Sequence, residues 1–105
     1  MLSTLTVVLP VLNEAGILET ALTEVLEQAP DEIVVVDGGS QDATCDVVRR
    51  HPALHLIKAQ RGRAAQMNAG AAAARSDILL FLHADARLPP QALSHVRAAI
   101  QAGHL

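Results

Sequence analysis

The sequence Ile-Val-Val-Val-Asp-Gly-Gly-Ser-Gln-Asp, at residues 33–42, decides the fold. Its apolar half does not alternate with polar residues, which is typical of a parallel strand covered on both faces. Its polar half begins at Asp37 and continues with two glycines, a hydroxyl and a second carboxylate. In open α/β sheets, ligands bind in the crevice at the carboxyl ends of the strands. The stretch therefore predicts a buried strand that carries a polar loop to a ligand.

The same succession of apolar and then polar residues occurs twice more. Residues 78–85 read Ile-Leu-Leu-Phe-Leu-His-Ala-Asp, and residues 5–14 show a milder form that ends in Asn13 and Glu14. If these strands are parallel, their carboxyl ends lie at one edge of the sheet. We therefore expect the three polar strand ends to form one composite site.

Apolar periodicity and helix-ending residues predict eight elements in strict alternation. The predicted strands cover residues 4–9 (stopping at Pro10), 32–37, 55–58 and 77–82. The predicted helices cover 14–28 with Asn13 as N-cap, a stretch from a Ser40 or Asp42 cap to Arg50, 63–75, and a stretch from Pro89-Pro90 to 102. In the third helix, Gly70 and a row of alanines permit close approach to the sheet. This order predicts an α/β fold, a Rossmann-like and mostly parallel sheet of about four strands with helices on both faces.

Length and composition narrow the class of protein. The 105 residues suit one domain, residues 1–105, and its core is aliphatic because Phe81 is the only aromatic residue. A net charge of −3 argues against a nucleic-acid partner and against general affinity for anionic membranes. The lone Cys45 excludes an intramolecular disulfide. No apolar run approaches the roughly 20 residues of a membrane span, and no basic segment precedes residues 5–12 as in a signal peptide. We expect a cytoplasmic location, with peripheral membrane association left open.

The loop after the second predicted strand contains the first candidate cluster. Gly39 lets a ligand approach the backbone N–H groups, and Asp37 is placed to accept hydrogen bonds from a base or a ribose. Ser40 and Asp42 also have a purely structural interpretation as helix caps. Capping does not explain Asp37, because this residue ends a buried strand.

Two further strand ends carry candidate ligands. His83 and Asp85 are separated by one residue, and we expect them to project toward the same space as ligands of Mg²⁺ or Mn²⁺. Their alternative roles are those of an ordinary loop histidine and a turn-forming aspartate. Asn13 and Glu14 are candidate base or ribose contacts, or else an N-cap and a favourable first-turn charge.

A basic cluster precedes the third predicted helix. Arg61 and Arg63 flank Gly62 close to the start of that helix, and Asn68 follows within it. Guanidinium groups and a helix N-terminus together suit a diphosphate. The alternative is a solvated, positively charged turn.

Four motifs in order resemble family 2 glycosyltransferases over nearly the whole chain. They are Val8-Leu9-Pro10-Val11-Leu12-Asn13-Glu14, residues 34–44, Asn68-Ala69-Gly70, and Leu82-His83-Ala84-Asp85 followed by Pro89. The resemblance is to the nucleotide-binding half of the GT-A fold. It implies transfer of a sugar, with inversion, from a UDP- or GDP-linked donor to the hydroxyl of an unknown acceptor. It assigns nucleotide binding to Pro10, Asn13, Glu14 and Asp37, and metal binding to His83 and Asp85.

Three positions depart from the pattern of that family. Gly38 and His83 stand where acids are usual, and Met67 stands where an arginine often precedes the equivalent of Asn68. The resemblance also implies that the acceptor-binding half and the catalytic base lie beyond Leu105. We therefore expect a truncated GT-A domain that binds donor and metal and is inactive by itself.

Three other classes of protein are alternatives to a glycosyltransferase. A signalling receiver needs an acidic pair after its first strand and a lysine near its site, and here the only lysine is Lys58. A nucleotidyltransferase usually has a Gly-rich basic loop after the first strand, and this loop is missing. A non-catalytic assembly module would expose apolar surface at the sheet edge, and we expect such an edge to support a homodimer.

Overall fold

The computed structural model describes residues 3–103 and has the predicted alternation of strands and helices. The elements are β1 (Leu5–Val11), α1 (Ala15–Glu27), β2 (Glu32–Asp37), α2 (Thr44–Arg49), β3 (His55–Lys58), α3 (Arg63–Ala73), β4 (Ile78–Phe81) and α4 (Ala92–Gln101). The four strands form one sheet in the order β3-β2-β1-β4, and every pairing is parallel. The predicted α/β class and parallel sheet are confirmed.

Helices cover both faces of the sheet, as the unbroken apolar strands predicted. The larger core lies between the sheet and helices α1, α2 and α4, and the smaller core packs Val8, Val34 and Val36 against α3. Alternate residues of β1 face the two cores, since Val7 and Leu9 pack in the larger core and Val8 packs in the smaller core. All seven residues of β1 are buried, so this strand is the centre of the domain.

The helix α3 lies unusually close to the sheet at Gly70. A Cβ atom on this residue would stand 2.3 Å from Val8 Cγ1 and 3.0 Å from Val36 Cγ2. Small residues of the same helix, Ala69 and Ala73, pack on the smaller core. The predicted role of Gly70 in a close helix approach is therefore confirmed.

Strand β1 continues through Pro10 to Val11, so the prediction that it stops at Pro10 is wrong. The Val11 carbonyl accepts the Gly38 N–H on the β2 side, and the Val8 carbonyl accepts the Leu82 N–H on the β4 side, both at 3.0 Å. Because successive residues face opposite neighbours, Pro10 faces the β4 side, beyond the last bond to that strand. Its missing N–H therefore costs no ladder hydrogen bond.

Helix α4 begins after the proline pair and not within it. Pro89 and Pro90 precede the helix, and Gln91 adopts a left-handed conformation with φ of 63°. The Gln28 side chain donates to the Pro89 carbonyl at 2.6 Å and accepts the Leu93 N–H at 2.9 Å. A tertiary contact from the end of α1 thus replaces the predicted proline-led first turn.

None of the helices within residues 3–103 is both long and apolar enough to cross a bilayer. Strands β2 and β3 and the start of α3 lie at the predicted residues, whereas the bounds of β4 and α1 and the ends of α2 and α3 differ by one or two residues.

Two glycine-to-alanine substitutions test the close approach of α3. We expect Gly70→Ala to lower the free energy of unfolding by about 1–3 kcal/mol, because its methyl group overpacks against Val8. Gly16→Ala in α1 is the matched control, since its Cβ would have nothing within 4 Å and helix propensity should raise stability by about 0.5–1 kcal/mol. Urea unfolding monitored by circular dichroism measures both, and equal effects of the two substitutions would contradict the packing argument.

Candidate functional site

Four loops leave the same edge of the sheet. Val11 lies opposite Asp37 in the β1–β2 pairing, and Asp37 lies opposite Lys58 in the β2–β3 pairing. Strand β4 ends at Phe81, opposite Val8. The segments that follow β1, β2, β3 and β4 therefore all begin at the carboxyl edge. The expectation that the polar strand ends share one edge is confirmed.

Asn13 joins the loop after β1 to the loop after β2. Its backbone N–H donates to Ser40 Oγ at 2.9 Å, and its Oδ1 atom accepts the Gln41 N–H at 2.7 Å. It adopts a left-handed conformation with φ of 51°, which asparagine tolerates better than most residues. Asn13 and Ser40 are therefore not the helix caps that were predicted. They connect two loops.

Asp42 supports the first turns of two helices. Its Oδ2 atom accepts the Ala15 N–H of α1 at 3.3 Å, and its Oδ1 atom accepts the Thr44 N–H of α2 at 2.9 Å. The Thr44 hydroxyl also donates to this carboxylate and accepts the Glu14 N–H at 2.8 Å. The hydrogen bond from Thr44 lowers the pKa of Asp42. The N-terminus of α1 is thus capped by residues of the following loop, which sequence proximity did not indicate.

Asp37 organises the loop that follows β2. Only 1% of this residue is exposed. Its carboxylate accepts the Gly39 N–H at 3.0 Å, the Ser40 N–H at 3.0 Å and the Ser40 hydroxyl. Burial alone would raise the pKa of Asp37, but these hydrogen bonds outweigh it and lower the pKa below its ordinary value. Gly39 has a φ of 102°, which allows the turn around the carboxylate.

This geometry gives Asp37 a role that does not require a ligand. Contact of its carboxylate with a nucleotide stays a prediction, because a ligand donor would have to replace or share the hydrogen bonds from Ser40. Cys45 is half-buried beside this carboxylate, and burial together with the charge of Asp37 raises the pKa of its thiol.

An open depression at the carboxyl edge brings together candidates from separate parts of the chain. It is lined by Pro10, Val11, Leu12, Glu14, Arg63, Gln66 and His83. Three predicted clusters therefore meet here, namely the β1 loop, the basic cluster and the β4 loop. Glu14 turns its carboxylate back to accept the Leu12 N–H at 3.0 Å, which holds this wall of the depression in place. We call this depression the edge pocket.

His83 and Asp85 do not line the same depression. Asp85 borders a second one with Gly16, Ile17, Thr20, Ala21, Glu24, Ala84, Ala86 and Arg87. The chain turns between the two residues, since the Ala86 N–H donates to the His83 carbonyl at 3.0 Å and Ala84 is buried in the larger core. Convergence of both side chains on one metal ion therefore stays a prediction.

The basic cluster is only partly at the edge pocket. Arg63 lines it, whereas Arg61 and Asn68 are exposed and are not among its lining residues. Gly62 between the arginines has a φ of 136°, a conformation that favours glycine. Within the described part of the chain, neither arginine forms an ion pair. Arg63 therefore brings a positive charge to a pocket that Glu14 also lines.

Gln66 is the pocket residue that the sequence interpretation missed. Its side-chain nitrogen donates to the carbonyls of Val11 at 3.0 Å and Val36 at 2.9 Å, and its oxygen accepts the Gly62 N–H at 3.2 Å. The residue is 5% exposed. One signal was present in the sequence: Gln66 lies four residues before Gly70, on the sheet-facing stripe of an alanine-rich helix.

The donor set at the β4 loop fits a metal ion only in part. Residues 3–103 contain no group of three or more His, Cys, Asp or Glu side chains that could hold one. Asp85 and His83 are both exposed. A Mg²⁺ or Mn²⁺ site with one protein carboxylate and further oxygens from a diphosphate is compatible with Asp85.

The sequence profile described as Glycosyl transferase family 2 matches residues 6–105. One similar protein is undecaprenyl-phosphate 4-deoxy-4-formamido-L-arabinose transferase of Aeromonas hydrophila, with 30% identity over 90% of this chain and 33% of the relative. Glucosyl-3-phosphoglycerate synthase of Mycobacterium tuberculosis is 31% identical over 78% of this chain and 29% of the relative. The chain thus spans about a third of the length of these relatives.

Solved structures with a similar fold superpose on most of this chain. Residues 1–349 of TarS from S. aureus superpose with a TM-score of 0.83 and 25% identity over 96% of this chain and 33% of that chain. Glucosyl-3-phosphoglycerate synthase of M. tuberculosis, in complex with Mn²⁺, UDP-glucose and phosphoglyceric acid, superposes with a TM-score of 0.84 and 24% identity. That match covers 96% of this chain and 40% of the other.

The pKa shift of Asp37 predicts how stability depends on pH. Ionised Asp37 stabilises the fold above about pH 4, the ordinary pKa of an unfolded aspartate, and this contribution is lost as the pH falls through the lower pKa of the folded state. We expect Asp37→Asn to cost about 1–3 kcal/mol at pH 7, and expect the difference from wild type to shrink below about pH 4.

The matched control for this substitution is Asp46→Asn, which removes an exposed carboxylate whose ion pair with Arg49 spans 3.3 Å. Exposed pairs of this kind contribute little, so we expect no measurable loss. Denaturant unfolding at a series of pH values measures both variants. A gap between wild type and Asp37→Asn that stays constant from pH 7 to pH 3 would contradict the assignment.

Proposed function

The chain belongs to glycosyl transferase family 2, and on that premise we propose that it supplies the donor-binding part of an inverting glycosyltransferase. Residues 1–105 would bind a nucleoside diphosphate sugar, linked to UDP or GDP, whose sugar passes to an acceptor hydroxyl. The proposed setting is the cytoplasm or the cytoplasmic side of a membrane, where the single Cys45 stays reduced. The acceptor-binding half would lie outside this sequence.

The observation that supports this proposal most strongly is the composition of the edge pocket. Pro10 and Glu14, Arg63, and His83 come from three separate parts of the chain and line one depression at the carboxyl edge of a parallel sheet. This is where open α/β sheets bind their ligands. The similar mycobacterial synthase binds UDP and UDP-glucose. A nucleoside diphosphate is the ligand class that fits both facts.

We divide the proposed contacts between a nucleoside side and a phosphate side of the pocket. Pro10, Glu14 and two joined loops, one with Asn13 and the other with Gly39 and Ser40, form the nucleoside side; Asp37 accepts hydrogen bonds from the second loop. Arg63, at the first turn of α3, forms the phosphate side, where a guanidinium and the helix N-terminus both favour an anion. Arg61 and Asn68 are exposed, and their contact with the phosphates stays a prediction.

Asp85 would hold a divalent cation, Mn²⁺ or Mg²⁺, with His83 as a further candidate ligand. The mycobacterial synthase is described with bound Mn²⁺. When bound, such a cation would stabilise negative charge on the departing diphosphate. Asp85 suits this role because one protein carboxylate with phosphate oxygens is a common arrangement for these cations. The larger share of the charge compensation by the chain itself would come from Arg63.

The carboxylates that line or border this edge do not include a free catalytic base. Glu14 accepts the Leu12 N–H, Asp37 is buried in its loop, and Asp42 caps two helices. Asp85 borders the other depression. A general base must reach the proton that it removes. We therefore propose that the 105-residue chain binds donor but does not turn it over.

The receiver interpretation gains no support from the geometry. Its phospho-acceptor would have to be Asp37, whose 1% exposure and hydrogen bonds to Ser40 leave the carboxylate without access to a phosphoryl donor. Family membership favours the glycosyltransferase instead.

Nucleotide binding is tested by isothermal titration of the 105-residue chain with UDP and GDP in the presence of Mn²⁺. We expect Arg63→Ala to weaken binding by about ten- to 150-fold, because a charge-assisted hydrogen bond is worth about 1.5–3 kcal/mol. We expect Asp85→Asn to weaken binding when Mn²⁺ is present and to have no effect in EDTA. Asp77→Asn is the control, since Asp77 is exposed and follows α3, away from the carboxyl edge. Equal heats from all four proteins would exclude the proposed site.

The free edge of β4 supports a second proposal, a homodimer. Leu79 and Phe81 are 37% and 39% exposed, although they belong to a strand of the sheet. They pair with Thr6 and Val8 and so lie on the α3 face, while α3 itself packs on β1 and β2. An outer strand with exposed apolar side chains favours association with another copy.

We expect sedimentation velocity to show a concentration-dependent dimer for the wild type and a monomer for Phe81→Ser. Ile17→Ser is the matched control, because Ile17 is 44% exposed but lies on α1. It should leave the dimer intact. A wild-type protein that stays monomeric at millimolar concentration would rule the dimer out.

A further inference from the structure

We propose that Gln66 is a positioning residue that holds the nucleoside side and the phosphate side of the edge pocket at a fixed distance. This inference rests on the proposed binding of a nucleoside diphosphate. Gln66 would not contact the reacting atoms. It would act by fixing the turn that carries Arg63 to the last hydrogen-bonded residues of β1 and β2.

The orientation of the Gln66 amide follows from its partners. Two of them, the Val11 and Val36 carbonyls, only accept hydrogen bonds, so the NH₂ group must face them. The third partner, the Gly62 N–H, only donates, so the side-chain oxygen must face it. All three polar contacts are made by a side chain that is 5% exposed. The amide therefore has one arrangement that satisfies it.

The two carbonyls mark the end of the β1–β2 ladder. Val11 pairs with Asp37, and its carbonyl also accepts the Gly38 N–H at 3.0 Å. Directly beyond these residues begin the loops that carry Glu14 and Ser40. Gln66 thus donates hydrogen bonds to the sheet at the point where the loops of the nucleoside side begin.

The third contact reaches the phosphate side. Gly62 is the N-cap of α3 and has a non-helical φ of 136°. Arg63 is the first helical residue. A hydrogen bond to the Gly62 N–H ties the turn to the same amide that holds the strands. Among the described residues, the Gln66 side chain is the hydrogen-bond partner recorded for this N–H.

Gly38 provides the space that Gln66 occupies. A Cβ atom at position 38 would stand 2.7 Å from the Gln66 side-chain oxygen and 2.8 Å from its amide carbon. Any side chain there would push the amide away from its partners. Gly38 has no positive φ that would demand glycine, so its close contact with Gln66 is the constraint that the structure shows at this position.

The nucleoside side is held together by hydrogen bonds of its own. The Asn13–Ser40 and Gln41–Asn13 hydrogen bonds, at 2.9 and 2.7 Å, join its two loops without help from Gln66. Loss of Gln66 should therefore disturb the phosphate side more than the nucleoside side. The ratio of the affinities for UDP and uridine measures this difference, because uridine lacks the phosphates.

The test compares UDP and uridine binding by titration calorimetry for wild type, Gln66→Met and Gln66→Glu. Methionine keeps the length of the side chain, and glutamate keeps its shape, but neither can donate to the two carbonyls. We expect the UDP-to-uridine affinity ratio to fall by about tenfold in both variants, with uridine affinity within about threefold of wild type. Gln101→Met, at an exposed position of α4, is the control and should leave the ratio unchanged. Equal loss of affinity for both ligands, or an unchanged ratio, would overturn the proposal.

Gly38→Ala keeps Gln66 and covers the case in which Gln66→Met fails to fold, and a double-mutant cycle with Gln66→Ala tests the contact between the two residues. Gly38→Ala should weaken UDP binding when Gln66 is present, and should have little further effect in a Gln66→Ala background, where the space is free. Additive losses would contradict the proposed contact.

Amide hydrogen exchange at Gly62 separates failure of this inference from failure of the proposed function. Protection of the Gly62 N–H should be lost in Gln66→Met whether or not nucleotide binds. A wild-type protein that binds neither ligand would count against the proposed function. Unchanged protection at Gly62 would count against the positioning role.

Discussion

The close approach of α3 to the sheet at Gly70 is the constraint on which the carboxyl edge depends. With no side chain at this position, the helix axis can come near enough for Val8 and Val36 to fill the gap. One turn earlier, the same closeness lets Gln66 reach the carbonyls of Val11 and Val36. A helix held farther away would leave an amide side chain in the smaller core without partners, which is costly. The hydrogen bonds of Gln66 thus depend on the close helix packing that Gly70 allows.

Most of the polar side chains at this edge hold the loops to one another. Asp37 and Asp42 accept hydrogen bonds from backbone N–H groups and hydroxyls, and both have lowered pKa values in consequence. Among residues 3–103, every buried side-chain nitrogen or oxygen has a hydrogen-bond partner. The groups that remain available to a ligand are fewer, and Arg63, His83 and Asp85 are the main ones. The edge is therefore a framework of hydrogen-bonded loops with few free charged groups, of which the Arg63 guanidinium is the one that favours an anionic ligand.

Local signals in the sequence were enough for the fold class, the order of the elements and the edge of the sheet at which the site lies. Unbroken apolar strands, helical periodicity and polar strand ends each depend on neighbouring residues only. Strand β2, with Asp37 at its end, has the bounds that were predicted. The close packing at Gly70 could also be inferred, because a glycine among alanines lets a helix axis approach the surface on which it packs.

Which residues meet at the site depends on the tertiary structure. Asn13 and Ser40 have the composition of helix caps, but they bond to each other's loops, since the β1 and β2 ends lie side by side. Asp42 caps a helix that precedes it in the chain, and Gln66 bridges strands that lie 30 and 55 residues away. His83 and Asp85 are close in sequence, but they border different depressions because buried Ala84 and a turn lie between them. Such partners are set by distances across the fold, and the order of residues along the chain does not contain those distances.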